Sequence, residues 1–300
     1  MGTFDGIHLG HFSIIELMKK RALELNGETV IFTFWPHPRI VISGNSDEIY
    51  LLNSLDEKIA LFQKSGIDHL IIFPFTKEFA QLSSYNFVKD FLVEKIGVNH
   101  LVFGYDHQFG KNREGSFQSL EKCAEEFNFS LEQIPAFSIR GENISSTKIR
   151  KLISEGNLLR ANEYLGYNYY LKGSVVGGMK LGRKIGFPTA NIALPAEQKL
   201  LPVNGVYAVC VRVEGEKYNG MMNIGYKPTV SSKTQNLTIE VHIIDFNKDI
   251  YNKSIEIEFI TKIREEKKFD SLSLLVEQLN RDRLMVLNLT KNLKEVNFFS

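Results

Sequence analysis

Between Glu28 and about Leu165, short apolar runs alternate with stretches whose apolar residues recur at helical spacing. Thr29–Phe34, His69–Phe73 and Leu101–Gly104 read as strands, with helices over Leu55–Lys64, Tyr85–Glu94 and Phe117–Phe127 between them. Strands that alternate with helices predict a parallel sheet flanked by helices. After Tyr170 the texture changes. Leu171–Val176, Val206–Val213, Lys217–Ile224, Leu237–Phe246 and Ser254–Ile260 are all strand-like and separated by Gly, Asn and Pro turns, which predicts a compact antiparallel barrel or sandwich. Leu274, Leu275, Gln278, Leu279, Arg283, Val286 and Leu287 recur at helical spacing, so an amphipathic helix from Leu272 to about Leu293 closes the chain. The change of texture predicts two domains, 1–168 and 169–300, meeting near Gly166–Lys172 after a short helix that ends in Tyr164-Leu165-Gly166.

Composition agrees with two folded domains, since 300 residues exceed the roughly 100–200 of a usual single domain. Hydrophobic residues make up 43% and charged residues 24%, which excludes a disordered chain. The net charge of +1, with no long block of one sign, gives no field that would draw nucleic acid or anionic lipid, so any anion site is local. Cys123 and Cys210, one in a helical and one in a strand-like stretch, read as reduced core thiols, and the paired Cys and His spacings of a zinc site are missing from the sequence. The start reads as no signal peptide, and no apolar run approaches the ~20 residues that span a bilayer. A cytoplasmic protein is expected, a monomer or weak homo-oligomer whose partners are small molecules rather than nucleic acid or membrane.

Gly2-Thr3-Phe4-Asp5-Gly6-Ile7-His8-Leu9-Gly10-His11 sets turn-permitting glycines beside two histidines, ahead of a helical pattern at Ile14, Ile15, Leu17 and Met18. If His8 to His11 open that helix, both imidazoles lie on one face near its positive end. Backbone N–H groups and imidazoles there can hold a triphosphate and stabilise charge building on its α-phosphate. A turn carrying two surface histidines is the alternative. Ile144-Ser145-Ser146-Thr147-Lys148-Ile149-Arg150 places hydroxyls at an expected helix N-terminus, with Ile149 and Leu152 inward and Arg150 set to reach a phosphate, or is an ordinary capped helix. Gly104-Tyr105-Asp106-His107-Gln108-Phe109-Gly110 follows a strand, and open α/β sheets bind ligands at the carboxyl ends of their strands.

The second half carries neither a P-loop string nor the protein-kinase set, so a different device must hold a nucleotide. Between Gly173 and Asn191 the chain gathers Gly177, Gly178, Gly182 and Gly186 with the cations Lys180, Arg183 and Lys184, a stretch able to fold over phosphates. Pro188 restricts the turn, and the Thr189 hydroxyl and Asn191 amide oxygen, two residues apart on an extended segment, face the same way. Two neutral oxygens suit a Mg2+ ion that draws most of its other ligands from phosphate and water; a glycine-rich hairpin with a capping threonine is the alternative. Alternation over Leu237–Ile244 puts Leu237, Ile239, Val241 and Ile243 on one face and Glu240 with His242 on the other, which by pattern alone leaves Glu240 a solvent-facing strand residue.

The ten-residue opening string resembles the signature of the nucleotidyltransferase superfamily, and with Phe4-Asp5-Gly6 it resembles the bifunctional riboflavin kinase and FAD synthetase family in particular. Gly186-Phe187-Pro188-Thr189-Ala190-Asn191 is similar to the riboflavin kinase signature, and Thr33-Phe34-Trp35-Pro36-His37-Pro38 and Asn223-Ile224-Gly225-Tyr226-Lys227-Pro228-Thr229 are also similar to family segments. The resemblance implies a Rossmann-like α/β nucleotidyltransferase domain followed by an antiparallel β-barrel riboflavin kinase domain with a C-terminal helix. It implies two reactions: riboflavin and ATP give FMN and ADP, then FMN and a second ATP give FAD and pyrophosphate, both with Mg2+.

By resemblance, Glu240 is the base of the first reaction and His8 and His11 serve the second. Gly2, Phe4, Asp5, Gly6, Ser146, Thr147 and Arg150 are then expected at the nucleotide of the first half, and Asp106 and Phe109 at its flavin. Gly177, Gly182, Arg183, Phe187, Pro188, Thr189 and Asn191 are expected at the kinase nucleotide and metal, with Arg264 and Phe269 closing over the isoalloxazine ring. The nucleotide signature of this family follows a strand, whereas here it begins at residue 2, so the expectation is either a protein that starts further upstream or a first domain that lacks its first strand. The alternative to the two-reaction reading is a riboflavin kinase with an incomplete adenylyltransferase half.

Overall fold

The computed structural model describes residues 1–43, 49–104, 108–178, 181–194, 198–228 and 235–291. They form two compact units, Met1–Ser146 and a second from Thr147 onward.

The first unit opens with helix α1 (Leu9–Leu25), followed by strand β1 (Val30–Trp35), the short helix α2 (Pro38–Ser43), α3 (Leu55–Ser65) and β2 (His69–Pro74). Helix α4 runs over Ser84–Phe87 and continues with π-type hydrogen bonding over Val88–Ile96; β3 (His100–Gly104), α5 (Phe117–Phe127) and β4 (Ser130–Ile134) come next, then the hairpin β5 (Ser138–Ile139) and β6 (Glu142–Asn143). Local chemistry fixes the helix ends. Ser54 caps α3 by accepting the Glu57 N–H at 3.2 Å while the Glu57 carboxylate accepts the Ser54 N–H at 3.0 Å, and Gly66 ends it in the left-handed region at φ +71°.

The strands pair as two parallel ladders, β1 with β2 and β3 with β4, so the expected parallel sheet takes the form of two separate pairs among the described residues. Gly2 adds a parallel bridge to Thr33. Between the elements lies a core of Phe32, Phe87, Val88, Leu92, Leu101, Phe103, Leu120, Cys123 and Phe129, in which several of the phenylalanine rings meet edge to face. The alternating pattern did not reveal β4, whose Ser130-Leu131-Glu132-Gln133-Ile134 is too polar to stand out as an apolar run.

The second unit begins at Thr147, the second residue of α6 (Ser146–Ser154), and includes α7 (Leu158–Leu165), and the division between units thus lies ahead of the Gly166–Lys172 stretch where the texture changes. One side chain ties α7 to the later part of the unit. The Asn162 amide donates to the Phe259 carbonyl at 2.9 Å and its oxygen accepts the Tyr169 N–H at 2.8 Å. The barrel consists of β7 (Tyr170–Val176), β8 (Ala190–Ala193), β9 (Gly205–Val213), β10 (Glu216–Pro228), β11 (Gln235–Ile243) and β12 (Ser254–Arg264), with α8 (Leu181–Lys184) between β7 and β8 and α9 (Leu272–Lys291) at the end. It closes in the order β10-β11-β8-β7-β12-β9, every neighbour antiparallel, which leaves no open edge. A further core of Phe187, Ala208, Met221, Ile244, Ile260 and Val286 joins α9 to the barrel.

Arg21 of α1 donates from Nε and Nη2 to the Glu132 carboxylate of β4 at 2.7 and 2.9 Å, and Nε2 of His100 on β3 lies 3.1 Å from the same group. Arg21 chiefly, then His100, holds the Glu132 pKa down at about 2 against an ordinary 4.5. A depressed carboxylate pKa stabilises the fold above the unfolded value and loses that contribution as pH falls through the folded one. Glu132→Gln is therefore expected to lower the melting temperature of the first unit by a few degrees at pH 7, with the gap narrowing as pH falls from 4.5 towards about 2. Thermal melts of both proteins across that range check it, and a gap independent of pH rules it out.

Candidate active sites

In the second unit the ladder registers set three polar residues in one row. Asn223 of β10 pairs with Glu240 of β11, and Glu240 pairs with Asn191 of β8. Thr189, just ahead of β8, donates its hydroxyl to Glu240 Oε2 at 3.0 Å. Residues far apart in sequence thus converge because antiparallel pairing places directly opposed side chains on one face. On β11, Ile239, Val241 and Ile243 are buried on the opposite face from Glu240, as the alternation predicts; Leu237, at the strand end, is exposed.

The glycines here answer to close contacts. A Cβ on Gly178 would stand 2.0 Å from the Asn191 amide nitrogen, and one on Gly182 would stand 2.1 Å from the Phe187 carbonyl oxygen. Phe187 N–H returns to the Gly182 carbonyl at 2.9 Å, and Gly186 takes φ +82°, so residues 182–187 form a fixed turn. Arg183 is exposed on α8, and Gly177 lies open at the end of β7. Phe187 is buried in the core beneath α9, which anchors the turn while Pro188 and Thr189 stay exposed. Lys180 and Thr229 fall outside the described residues.

Beyond β12, Arg264 is held by α9. Its Nε lies 2.9 Å and its Nη2 2.8 Å from Asp282 Oδ2, and Asp282, 2% exposed, also accepts from Gln278 at 2.8 Å. Phe269 sits 5.9 Å from the Arg264 guanidinium. The segment between them bends back towards the barrel: the Asn223 amide donates to Glu266 Oε1 at 2.9 Å, and that oxygen is 1.9 Å from where a Cβ on Gly225 would be.

In the first unit His8 is the N-cap of α1, and its ring stacks on that of His11 with centroids 3.8 Å apart and planes 16° apart. His8 N–H donates to His11 Nδ1 at 3.3 Å. Both imidazoles therefore stand at the positive end of a 17-residue helix, where an anion is favoured. Phe4 is buried against the His11 ring at 5.1 Å and the Phe62 ring at 5.4 Å. The Asp5 carboxylate, 2% exposed, accepts the N–H groups of Leu52 at 3.0 Å and Asn53 at 3.3 Å, and Ser146 Oγ donates to the Asp5 carbonyl at 2.7 Å. Gly6 turns at φ +89° and Gly2 bonds through its N–H to the Phe32 carbonyl at 2.9 Å.

Phe109 packs against Phe87 and Phe103 with centroids 5.9 and 6.2 Å away, while Asp106 lies outside the described residues. On α6 the residues that bury are Ile149 and Ile153; Thr147 is exposed and Arg150 half-buried, both in the second unit.

Comparison with known proteins places both halves in named families. The FAD synthetase family profile matches residues 1–148 and the riboflavin kinase profile matches residues 165–290. The bifunctional riboflavin kinase/FMN adenylyltransferase of Listeria monocytogenes is 41% identical over 94% of this chain and 88% of its own length. Proteins of the same description from Bacillus subtilis, at 36% over 98% of this chain and 93% of theirs, and Escherichia coli, at 37% over 95% and 90%, align as well. The chain belongs to the bifunctional riboflavin kinase/FMN adenylyltransferase family. The crystal structure of a macrolide-efflux protein from Streptococcus pneumoniae also matches, with a TM-score of 0.88 and 30% identity over 98% of this chain and 93% of that one. No helix among the described residues of the present chain is long and apolar enough to cross a membrane.

Two residues of this family member escape a reading by motif. His242 Nδ1 lies 2.8 Å from the Pro188 carbonyl, which can only accept, so Nδ1 carries the proton and the ring pins the turn ahead of Thr189. Burial lowers the His242 pKa, which keeps the imidazole neutral. Its place beside Glu240 on the strand pattern was the one available signal. Lys58 is the other: it is 1% exposed and donates from Nζ to the Thr3 carbonyl at 2.8 Å, yet in sequence it is one more polar position of an amphipathic helix. The turn geometry makes a structural prediction. Gly182→Ala must displace the Phe187 carbonyl, and the Phe187 amide should then exchange with solvent about tenfold faster or more, as hydrogen exchange would measure; unchanged protection counts against the fixed turn.

Proposed function

We propose that the second unit phosphorylates riboflavin to FMN and the first unit adenylylates FMN to FAD, with ATP as co-substrate of both. One observation carries the first reaction: Glu240 lies within hydrogen-bond reach of Thr189 and directly opposite Asn191 in the ladder. The Glu240 carboxylate takes the proton of the ribityl 5′-hydroxyl as that oxygen attacks the γ-phosphorus of ATP; the bond to the bridging oxygen breaks and ADP leaves. Before substrate binds, the carboxylate is oriented by the Thr189 hydroxyl, and the Thr189 backbone is held through Pro188 by His242.

The donor set fits a hard cation, because the Thr189 hydroxyl and Asn191 amide oxygen are neutral oxygens beside a carboxylate and Gly178 keeps the space at the amide clear. Mg2+ held there would neutralise charge on the phosphates. Gly177, Gly182 and Arg183 frame the phosphate side, and Arg264 with Phe269 shapes the flavin side through the contact with Asp282.

For the second reaction a phosphate oxygen of FMN attacks the α-phosphorus of ATP and pyrophosphate leaves. His8 and His11, stacked at the helix terminus, stabilise the charge that develops there. Asp5 and Ser146 act on the shape of the loop through the bonds that hold residues 2–6, and Thr147, Arg150, Asp106 and Phe109 are assigned to nucleotide and flavin. In this reading the catalytic halves are 1–168 and 169–300, and the protein works in the cytoplasm on small molecules as a monomer or weak homo-oligomer.

The two half-reactions test this separately. With riboflavin supplied, Glu240→Gln should lose about a hundredfold or more of phosphorylation rate, while FAD formation from supplied FMN is unchanged. His11→Ala should do the reverse. A Glu240→Gln protein that phosphorylates riboflavin at the parent rate would falsify the assignment of the base.

A further inference from the structure

The loop from Gly2 to His8 runs against backbone preference. Phe4 at φ +45° and Ile7 at φ +29° occupy the left-handed region, which bulky and β-branched residues avoid, and Gly6 between them does so too at φ +89°. Such a shape persists only where surrounding groups over-determine it, and here they do. The segment leading into α3 and α3 itself grip the loop on both sides of Phe4. The Leu52 and Asn53 N–H groups hold the Asp5 carboxylate, and Lys58, four residues after the Ser54 cap, holds the Thr3 carbonyl at 2.8 Å. Thr33 Oγ1 reaches the same carbonyl at 3.4 Å.

Burying a lysine to grip a carbonyl is costly, because the ammonium gives up its hydration. Desolvation brings the Lys58 pKa down to about 8, with the nearby Asp5 carboxylate opposing the drop. The Trp35 ring lies 5.5 Å from Nζ and offers a second weak attraction. A neutral helix former at this position would satisfy α3 equally well, so the helix itself has no need of the cation. The loop has.

We propose that Lys58 is a positioning residue for adenylyl transfer: through the Thr3 carbonyl it fixes the strained turn that presents His8 and His11 to the reacting phosphate. This rests on the adenylyltransferase reading of the first unit. The effect belongs in the chemical step, since donors aimed at developing charge matter most in the transition state, whereas ground-state binding of ATP and FMN is shared among many groups.

The test compares Lys58→Met, which keeps the length of the side chain without a donor, with Lys58→Arg, which restores donor and charge. FAD formation from supplied FMN and ATP is measured alongside riboflavin phosphorylation in the same preparations. Lys58→Met should lower kcat for FAD formation about tenfold or more, with KM for ATP and FMN within about threefold of the parent and riboflavin phosphorylation unchanged. Lys58→Arg should recover most of the lost kcat. A Lys58→Met kcat equal to the parent, a rise in KM alone, or an arginine variant as slow as the methionine one overturns the proposal. Should Lys58→Met not fold, Lys58→Leu, which also lacks a donor, replaces it in the same comparison. Absence of FAD formation in the parent protein would instead defeat the adenylyltransferase reading itself, taking the role of Lys58 with it.

Discussion

The register of β11 is the constraint on which the proposed kinase site depends. Side chains alternate faces along a strand, so a slip of one residue would turn Glu240 away and bring Val241 into its row. Ile239 and Val241, buried on the other face opposite Ile224 and Met222, forbid that slip, because it would move apolar side chains out of the core. The same pairing that places the carboxylate beside Asn191 therefore protects it. Barrel closure adds to this, since with no open edge every strand is held in register from both sides.

The two units secure their sites by different means. In the barrel the polar row is written into ladder pairing, and the glycine turn that carries Thr189 is nailed down by Phe187 in the core and by His242 on the Pro188 carbonyl. In the first unit the loop proposed to hold nucleotide has no such ladder among the described residues beyond the bridge from Gly2 to Thr33. Its strained conformation is held by buried charged groups, Asp5 and Lys58, each bonded to backbone. Buried ions make stiff anchors because leaving one unpaired is so costly, and stiffness is what two stacked imidazoles at a helix terminus require.

Much of this was legible in the residues. The expected helix Phe117–Phe127 is α5 as observed, and the barrel strands lie within a few residues of their apolar runs, since burial on one face imposes its period directly on composition. β4 and β8 were not legible as strands. One is half polar and the other is four residues long, too short for a period to show. Thr189, Asn191 and Glu240 could each be singled out by motif or resemblance, but that they meet could not. Lys58 and His242 were not, because each contacts a backbone carbonyl, and a carbonyl leaves no mark in sequence.

The sequence by itself determined that an α/β half precedes a β half, where the glycine loops and the helix-terminal histidines fall, and which family the chain resembles. These are local properties, set by period, turn chemistry and short strings. Only the tertiary structure decided that Glu240 meets Thr189, that Asp5 and Ser146 bond the loop rather than standing open, that Arg264 is bound by Asp282, and that α6 and α7 group with the barrel. Each of those joins residues distant in the chain, and such meetings depend on register and on how elements pack, which no short stretch of residues encodes.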